Sequence, residues 1–246
     1  MIMTSGISPG LFVAGTDTGV GKTLVTAALV KLLRRNGVAA VPFKPIHTGC
    51  PHAQAAPDLD FVLAGVEEDP GSLPPRDLLA PCRFRHPCSP HLAARLEQRA
   101  IDIARIFDCL RRLRRGGLFP VVEGTGGLMV PVSPYYSMLD ILSAMSLPVV
   151  LVTRRSLGTL NHTFLSLALL RQRLIRVVAV VFNAVQQDAT PEYIARDNAR
   201  TIREWGRVPQ LGNIPFIPGC ADRPAALVSR AAEHLDLIPL GPWIGK

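Results

Sequence analysis

Several features that mark other protein classes are missing from this sequence. No apolar run reaches the roughly 18–20 uncharged residues that a membrane-spanning helix requires, and the first ten residues lack the basic and apolar segments of a secretion signal. Charged residues make up only 19% of the 246 residues and hydrophobic residues 48%, a balance typical of folded chains rather than disordered ones. We therefore expect a folded cytoplasmic protein with no membrane partner.

Cysteine is scarce and irregularly placed. The five cysteines contain no Cys-x-x-Cys pair and lie at Cys50, Cys82, Cys88, Cys109 and Cys220. In a cytoplasmic chain we expect them to be reduced thiols. Two of them alternate with two histidines between residues 82 and 91, but this spacing matches no zinc finger or ribbon, and prolines interrupt it. We expect no metal cluster there.

Lysine is rare as well, which makes its positions informative. Only four of the 27 basic residues are lysines, at Lys22, Lys31, Lys44 and Lys246. In so arginine-biased a chain, a lysine in a glycine-rich or proline-bounded loop indicates that a compact ammonium group is needed there. Lys22 and Lys44 occupy such loops.

The net charge of +8 brings nucleic-acid binding into consideration. The excess, however, is spread along arginine-bearing helical stretches such as residues 109–117, without interleaved aromatic residues. A solvated helix surface explains this pattern better, so we expect no nucleic-acid partner. The same charge would attract an anionic substrate.

Short apolar runs alternate with amphipathic stretches along the whole chain. The pattern predicts strands at residues 11–15, 38–44, 118–123, 148–153, 176–183 and 211–214. It predicts helices at residues 22–37, 59–65, 100–115, 139–145, 160–173 and 191–205. Residues 45–57 are expected to form a loop, and residues 65–90 an irregular excursion over the surface. We expect a single α/β domain over residues 1–246, with a mostly parallel central sheet and helices on both faces.

The segment GTDTGVGKT, residues 15–23, follows a predicted strand and opens a predicted helix, as a phosphate-binding P-loop does. Its glycines allow successive backbone N–H groups to turn toward one anion at a helix N-terminus. Lys22 can reach terminal phosphates, and the hydroxyl of Thr23 can ligate Mg²⁺. The strict motif requires glycine where this chain has Thr16. The fold is therefore predicted to be P-loop NTPase-like, with a lengthened loop.

Further charged residues follow other strands of the predicted sheet. Lys44 ends the second strand, Glu123 ends another, and Asp58 and Asp60 open the short helix after the Lys44 loop. Because parallel sheets bind ligands beyond the carboxyl ends of their strands, these groups are suited to an ATP·Mg²⁺ site. The alternative for Glu123 is a cap or a salt bridge, and for the two aspartates simple helix capping.

Seven motifs in one order resemble the dethiobiotin synthetase family, and the resemblance covers residues 11–222. They are GTDTGVGKT, KPIHTG (44–49), SPH (89–91), VVEGTGG (121–127), LGTLNHT (157–163), FNAV (182–185) and LGNIPFIP (211–218). The resemblance implies a homodimeric ligase that uses Mg²⁺ and ATP. With CO₂ it converts 7,8-diaminononanoate to dethiobiotin, and its substrate site lies at the subunit interface.

The resemblance also implies roles for individual residues. Lys44 and Lys22 would be catalytic, and the metal would be held by Thr23, Asp60 and Glu123. The phosphates would contact Gly19, Val20, Gly21, Lys22, Thr23 and Leu24. The base would contact Asn183, Pro215, Phe216 and Ile217. The substrate would contact Thr48, Thr18, Gly158 and Asn161.

Three points leave alternatives open. Ala184 stands where an acidic residue is expected, so the base preference is undetermined, and Asp58 competes with Asp60 as metal ligand. A cobyrinate-type amidating ligase would need a glutaminase domain for which we expect no room before residue 246. A DNA-partitioning ATPase would carry an additional lysine near the start of the P-loop, which is absent from residues 15–21.

Overall fold

The structure is a computed structural model that describes residues 9–67, 73–187, 190–220 and 222–244. Its centre is a six-stranded sheet in the order β2-β5-β1-β6-β7-β8, and every pairing in it is parallel. The strands of this sheet are β1 (Leu11–Gly15), β2 (Ala40–Phe43), β5 (Phe119–Glu123), β6 (Val149–Thr153), β7 (Val177–Asn183) and β8 (Gln210–Ile214). Two further strands, β3 (Ile46–Thr48) and β4 (Cys82–Phe84), form a separate parallel pair.

Helices connect and cover the strands of the sheet. They are α1 (Lys22–Arg35), α2 (Pro57–Val66), α3 (Arg76–Leu79), α4 (Pro90–Leu96), α5 (Ile103–Arg115), α6 (Met138–Met145), α7 (Thr159–Gln172), α8 (Glu192–Gly206) and α9 (Pro224–Ala232). A 3₁₀ helix, Ile238–Trp243, follows α9. No helix in these described segments combines the length and apolarity needed to cross a membrane.

Both faces of the sheet are buried, as strand β1 shows. Successive side chains of a strand point to opposite faces. Phe12 and Ala14 belong to one buried apolar cluster, whereas Leu11 and Val13 belong to the other. The continuous apolar run in β1 is therefore explained by helices on both sides of the sheet. This confirms the predicted fold class.

Helix α1 illustrates how the sequence pattern produces this packing. Val25, Leu29 and Leu33 recur every four residues, and all three are fully buried against the sheet. The helix ends at Arg35 because Gly37 adopts a positive φ of 80°, which a glycine tolerates without strain. The helix begins at Lys22, within the P-loop segment.

The prediction for residues 45–57 and 65–90 was wrong in its main points. Strand β3 lies within the expected loop and pairs in parallel with β4, which lies within the expected irregular excursion. Leu79 and Phe84 are buried in the core rather than spread over the surface. In addition, the carbonyl of Leu79 accepts a hydrogen bond of 2.8 Å from the backbone N–H of Lys44. This segment therefore helps to hold a predicted site residue.

The burial of Phe84 leads to a prediction about stability. Phe84→Ala should lower the free energy of unfolding by about 3–5 kcal/mol, because it removes a buried ring and leaves a cavity. As a control, Tyr135→Ala should change it by no more than about 0.5 kcal/mol, since Tyr135 is 86% exposed. Urea denaturation of both variants measures the difference. Equal effects would mean that β4 does not belong to the core.

Candidate functional site

The P-loop is shaped by two glycines in left-handed conformations. Gly19 has φ 69° and Gly21 has φ 86°, and Gly21 directly precedes α1 without a side-chain cap. A Cβ on Gly21 would lie 1.9 Å from Nδ2 of Asn183, and the positive φ disfavours L side chains, so another residue would be strained there. The uncapped N–H groups of the first turn are available to an anion at this helix N-terminus.

Thr16 is the departure from the strict P-loop motif, and the structure shows what its side chain does. Its hydroxyl donates to Oγ1 of Thr153, at the end of β6, over 3.3 Å. Thr153 in turn lies 2.8 Å from the hydroxyls of both Thr159 and Thr163 in α7. A chain of hydroxyl groups therefore joins the P-loop to the start of α7.

Lys22 lies folded against its own loop. Its ammonium donates to the carbonyl oxygen of Asp17 over 3.0 Å, a contact that no sequence pattern indicates. Burial, followed by repulsion from Lys44, lowers the pKa of Lys22 from 10.5 to about 8. This ammonium gains most from a negatively charged ligand, because a phosphate would offset both effects.

Lys44 is the centre of the charged cluster. Its buried ammonium lies 2.6 Å from Oε1 of Glu123 and 2.7 Å from Oδ2 of Asp58. The hydroxyl of Thr23 donates to the same Oε1 of Glu123 over 2.8 Å. Burial would lower the pKa of Lys44, but the two carboxylates outweigh it and raise the pKa above its ordinary value. Lys44 is therefore a permanent cation next to the P-loop.

The two aspartates of α2 point to different places. Asp58 joins Lys44, whose charge lowers the pKa of the Asp58 carboxyl despite its partial burial. Asp60 instead pairs with Arg76 at the surface and also accepts from the backbone N–H of Ala56 over 3.4 Å. The structure thus brings Asp58, and not Asp60, together with Glu123 and Thr23. The expectation that Asp60 lies among the metal ligands has no support in this arrangement.

The oxygens gathered around Lys44 fit a hard cation. Asp58 and Glu123 supply carboxylates and Thr23 a hydroxyl, which are the donors that Mg²⁺ prefers. In the described part of the chain, no group of three or more His, Cys, Asp or Glu side chains could hold a metal by itself. This donor set is therefore suited to Mg²⁺ that shares its coordination with phosphate oxygens, rather than to a protein-only metal centre.

A cavity of about 330 Å³ opens beside the P-loop toward the end of β7. It is lined by Gly19, Arg154, Arg155, Ser156, Asn183, Ala184, Val185 and Gln186. Asn183 is buried and donates from Nδ2 to the carbonyl of Val20 over 2.9 Å. Pro215, Phe216 and Ile217 follow β8, the neighbour of β7, and so lie at the same edge of the sheet. The predicted base contacts are thus grouped beyond adjacent strand ends.

A second cavity, of about 400 Å³, lies on the other side of the P-loop. It is lined by Thr18, Thr48, Pro87, Cys88, Ser89, Pro90, Thr125, Gly126 and Val130. Two of the predicted substrate contacts, Thr18 and Thr48, therefore face one space, together with Ser89 and Pro90 of the SPH motif. The other two, Gly158 and Asn161, are exposed at the start of α7 and do not line this cavity.

Arg154 is a site residue that the sequence reasoning missed. It follows β6, lines the cavity beside Gly19, and donates to the carbonyl of Thr18 over 3.3 Å. Its guanidinium also lies 3.4 Å from Oδ2 of Asp17. The only available signal was its position directly after a predicted strand, and neighbouring Arg155 shares that position. Arg155 also lines the cavity, but its guanidinium pairs with Glu192 in α8 at 2.7 Å.

Comparison with known proteins shows to which family the chain belongs. A sequence-family profile described as "AAA domain" matches residues 9–223. An ATP-dependent dethiobiotin synthetase BioD of Thermodesulfovibrio yellowstonii is 37% identical over 217 residues, which are 85% of this chain and 89% of the relative. The protein of that name from Anaeromyxobacter sp. (strain Fw109-5) is 38% identical over 226 residues, 92% of this chain and 98% of the relative. The chain belongs to the ATP-dependent dethiobiotin synthetase family.

Solved structures of other proteins share the fold of this dethiobiotin synthetase family member. The MinC:MinD cell division protein complex of Aquifex aeolicus superposes with a TM-score of 0.57 at 13% identity, covering 92% of this chain and 94% of that one. A ParA family ATPase of Chlorobium tepidum gives a TM-score of 0.52 at 15% identity, covering 96% and 93%. At this level of identity the likeness is one of fold alone.

The lowered pKa of Lys22 leads to a prediction about ATP binding. With a pKa of about 8, Lys22 is about half protonated at pH 8 and about one-tenth protonated at pH 9. Bound phosphates raise this pKa, so binding of Mg²⁺-free ATP should take up about half a proton at pH 8 and nearly one at pH 9. Above pH 8, affinity should fall by up to about tenfold per pH unit.

Titration calorimetry in buffers of different ionisation enthalpy measures this proton uptake. A lysine with the ordinary pKa of 10.5 is already protonated at pH 9, so it would give almost no proton uptake on ATP binding. Binding at pH 9 without proton uptake would contradict the assignment of Lys22 as the phosphate-binding ammonium.

Proposed function

We propose that this chain is an ATP-dependent dethiobiotin synthetase, a ligase that forms the ureido ring of dethiobiotin from 7,8-diaminononanoate, CO₂ and ATP. The observation that carries the proposal is the buried ammonium of Lys44 between Asp58 and Glu123, beside the P-loop threonine. Family membership over most of the chain supports the same activity.

The reaction explains why two lysines are needed. One amine of the substrate adds to CO₂ and loses a proton, which gives a carbamate. A carbamate oxygen then attacks the γ-phosphorus of ATP, and ADP leaves. The second amine attacks the carbamoyl carbon, and phosphate leaves as the ring closes. Lys22 and Lys44 are cations placed where the carbamate and the transferred phosphoryl group bring negative charges together, and this electrostatic stabilisation is usually the largest catalytic contribution.

We assign Thr23, Asp58 and Glu123 to the Mg²⁺ site, in place of the earlier expectation of Asp60. When bound, Mg²⁺ supplies neutralisation of the phosphate charge. The residues themselves keep Lys44 in position, since its ammonium contacts both carboxylates. That contact would stay possible with a bound cation, because each carboxylate has other lone pairs that Lys44 does not use.

The two cavities divide the substrates between them. The cavity that includes Gly19 and Asn183 suits the nucleotide, with the phosphates on the loop from Gly19 to Leu24. Ala184 and Val185 present no carboxylate there that would select for a guanine. The cavity with Thr18 and Thr48 suits the diamine, because both hydroxyls can accept from its amino groups. ATP and substrate would then meet across the P-loop.

A homodimer with the substrate site at its interface is part of the proposal. Gly158 and Asn161 are exposed at the N-terminus of α7, whose uncapped N–H groups suit a carboxylate. Exposed Leu157, Leu165 and Trp205 provide apolar surface on and beside this helix. Such a dimer would bring α7 of one subunit to the partner's diamine, and sedimentation equilibrium should give twice the chain mass. We place the enzyme in the cytoplasm, without nucleic-acid partners.

A DNA-partitioning ATPase is the competing function, because MinD and ParA proteins share the fold. Their identity to this chain is only 13–19%, however, whereas dethiobiotin synthetases reach 37–38% over most of the chain. The additional P-loop lysine of partition ATPases is also absent from residues 15–21. These observations favour the synthetase.

The test of function is ADP release with Mg·ATP, bicarbonate and 7,8-diaminononanoate. Wild-type protein should turn over only when the diamine is present. Lys44→Ala should lower kcat by about 10²–10³, as expected for removal of a charge that stabilises the transition state. Lys31→Ala is the matched control, because Lys31 is also buried but pairs with Glu67 outside the site. Folded wild-type protein without diamine-dependent turnover would refute the proposal.

The metal assignment has its own matched pair of variants. Asp58→Asn should raise the Mg²⁺ concentration for half-maximal activity by about tenfold or more, because it removes a charged ligand and a partner of Lys44. Asp60→Asn should leave that concentration within about twofold, since loss of an exposed ion pair costs little. Turnover rates measured at increasing Mg²⁺ concentration give the half-maximal concentration for each variant. The opposite ranking would return the role to Asp60.

A further inference from the structure

His47 is a buried polar residue that the proposed mechanism has not used. It occupies the middle of β3, within KPIHTG, and only 3% of its surface is exposed. Its Nδ1 is buried and has no hydrogen-bond partner among the residues that the structure describes. A buried polar atom without a partner costs stability, so an apolar side chain would serve packing better at this position. The imidazole therefore needs another explanation.

The other ring nitrogen faces the first turn of α2. The backbone N–H of Asp58 donates to Nε2 of His47 over 3.4 Å, and Nε2 lies 3.5 Å from Oδ2 of the same residue. Helix α2 begins after Ala56, which has no side chain able to cap the free N–H groups of its first turn. His47, from strand β3, thus supplies α2 with the hydrogen-bond acceptor that an N-cap side chain normally provides.

The strand that carries His47 is itself held in place. The hydroxyl of Thr125, in the loop that follows Glu123, donates to the carbonyl of Ile46. Cys82 pairs in register with Ile46, and Phe84 with Thr48, on either side of the imidazole. The position of His47 is therefore fixed relative to the end of β5, where Glu123 lies.

We propose that His47 is a positioning residue whose Nε2 accepts the backbone N–H of Asp58 and so fixes the Asp58 carboxylate beside Lys44; this inference rests on the proposed function. An acceptor at Nε2 requires the neutral tautomer with its proton on Nδ1. Metal ligands commonly depend on such outer contacts for their orientation.

Two variants separate positioning from packing. His47→Gln keeps an acceptor oxygen near the place of Nε2, whereas His47→Met fills similar volume without a comparable acceptor. His47→Met should lower kcat by about tenfold and weaken Mn²⁺ binding, in the presence of a non-hydrolysable ATP analogue, by about tenfold. The KM values of His47→Met for ATP and diamine should stay within about twofold of wild type. His47→Gln should recover most of the lost kcat and most of the lost Mn²⁺ affinity.

Turnover kinetics, Mn²⁺ electron paramagnetic resonance and thermal unfolding measure these effects. Equal losses in the two variants, or a lowered unfolding temperature in His47→Met with unchanged kcat and Mn²⁺ affinity, would overturn the proposal. If His47→Met does not fold, the ¹⁵N spectrum of histidine-labelled wild-type protein decides: unprotonated Nε2 supports the proposal, and protonated Nε2 refutes it. The Mn²⁺ and ¹⁵N measurements do not require turnover, so failure of the proposed function would be seen separately in the wild-type assay.

Discussion

The buried ammonium of Lys44 is the constraint around which the site is arranged. A charge removed from water is tolerated only when opposite charges and hydrogen bonds compensate for it. Asp58 and Glu123 provide that compensation, and they come from α2 and from the end of β5. The sheet order makes this possible, because β2 lies next to β5 and Phe43 is in register with Val122. Lys44 and Glu123, one residue further along each strand, are therefore neighbours.

The same cluster extends into the phosphate loop and to His47 in β3. Thr23 shares an oxygen of Glu123 with Lys44, so the first turn of α1 is joined to the cluster. On the other side, His47 contacts the backbone of Asp58. A ligand that changes the charge at any of these groups therefore acts on several elements at once, since the groups share hydrogen bonds in a poorly solvated space.

Much of this could be predicted from the sequence, because long elements leave strong signals. The six strands of the main sheet were each predicted within two residues of their ends, and Lys44 and Glu123 were singled out as charges at strand ends. Asp58 and Asp60 could not be distinguished, since both lie in the first helical turn. Only their directions differ, by about 200° around the helix axis. That direction depends on where α2 packs, which the local sequence does not specify.

Other features were missed for equally physical reasons. Strands β3 and β4 have three residues each, too few to show a period of two, and prolines nearby indicated a loop. The hydroxyl of Thr16 was noticed only as a departure from a motif, because its partner Thr153 is 137 residues away in the chain. The orientation of Arg154, as opposed to that of Arg155, is likewise set by contacts that are distant in sequence.

The scarcity of lysine has a consequence for the outside of the molecule. Lys22, Lys31 and Lys44 are all buried, so in the described part of the chain the positive surface consists of guanidinium groups. Arginine keeps its charge at any pH at which a protein stays folded. The long-range attraction that the surface exerts on anionic metabolites is therefore nearly constant across the alkaline range. Loss of ligand binding above pH 8 is therefore expected to originate at Lys22, whose pKa is lowered, and not in the long-range attraction of the ligand to the surface.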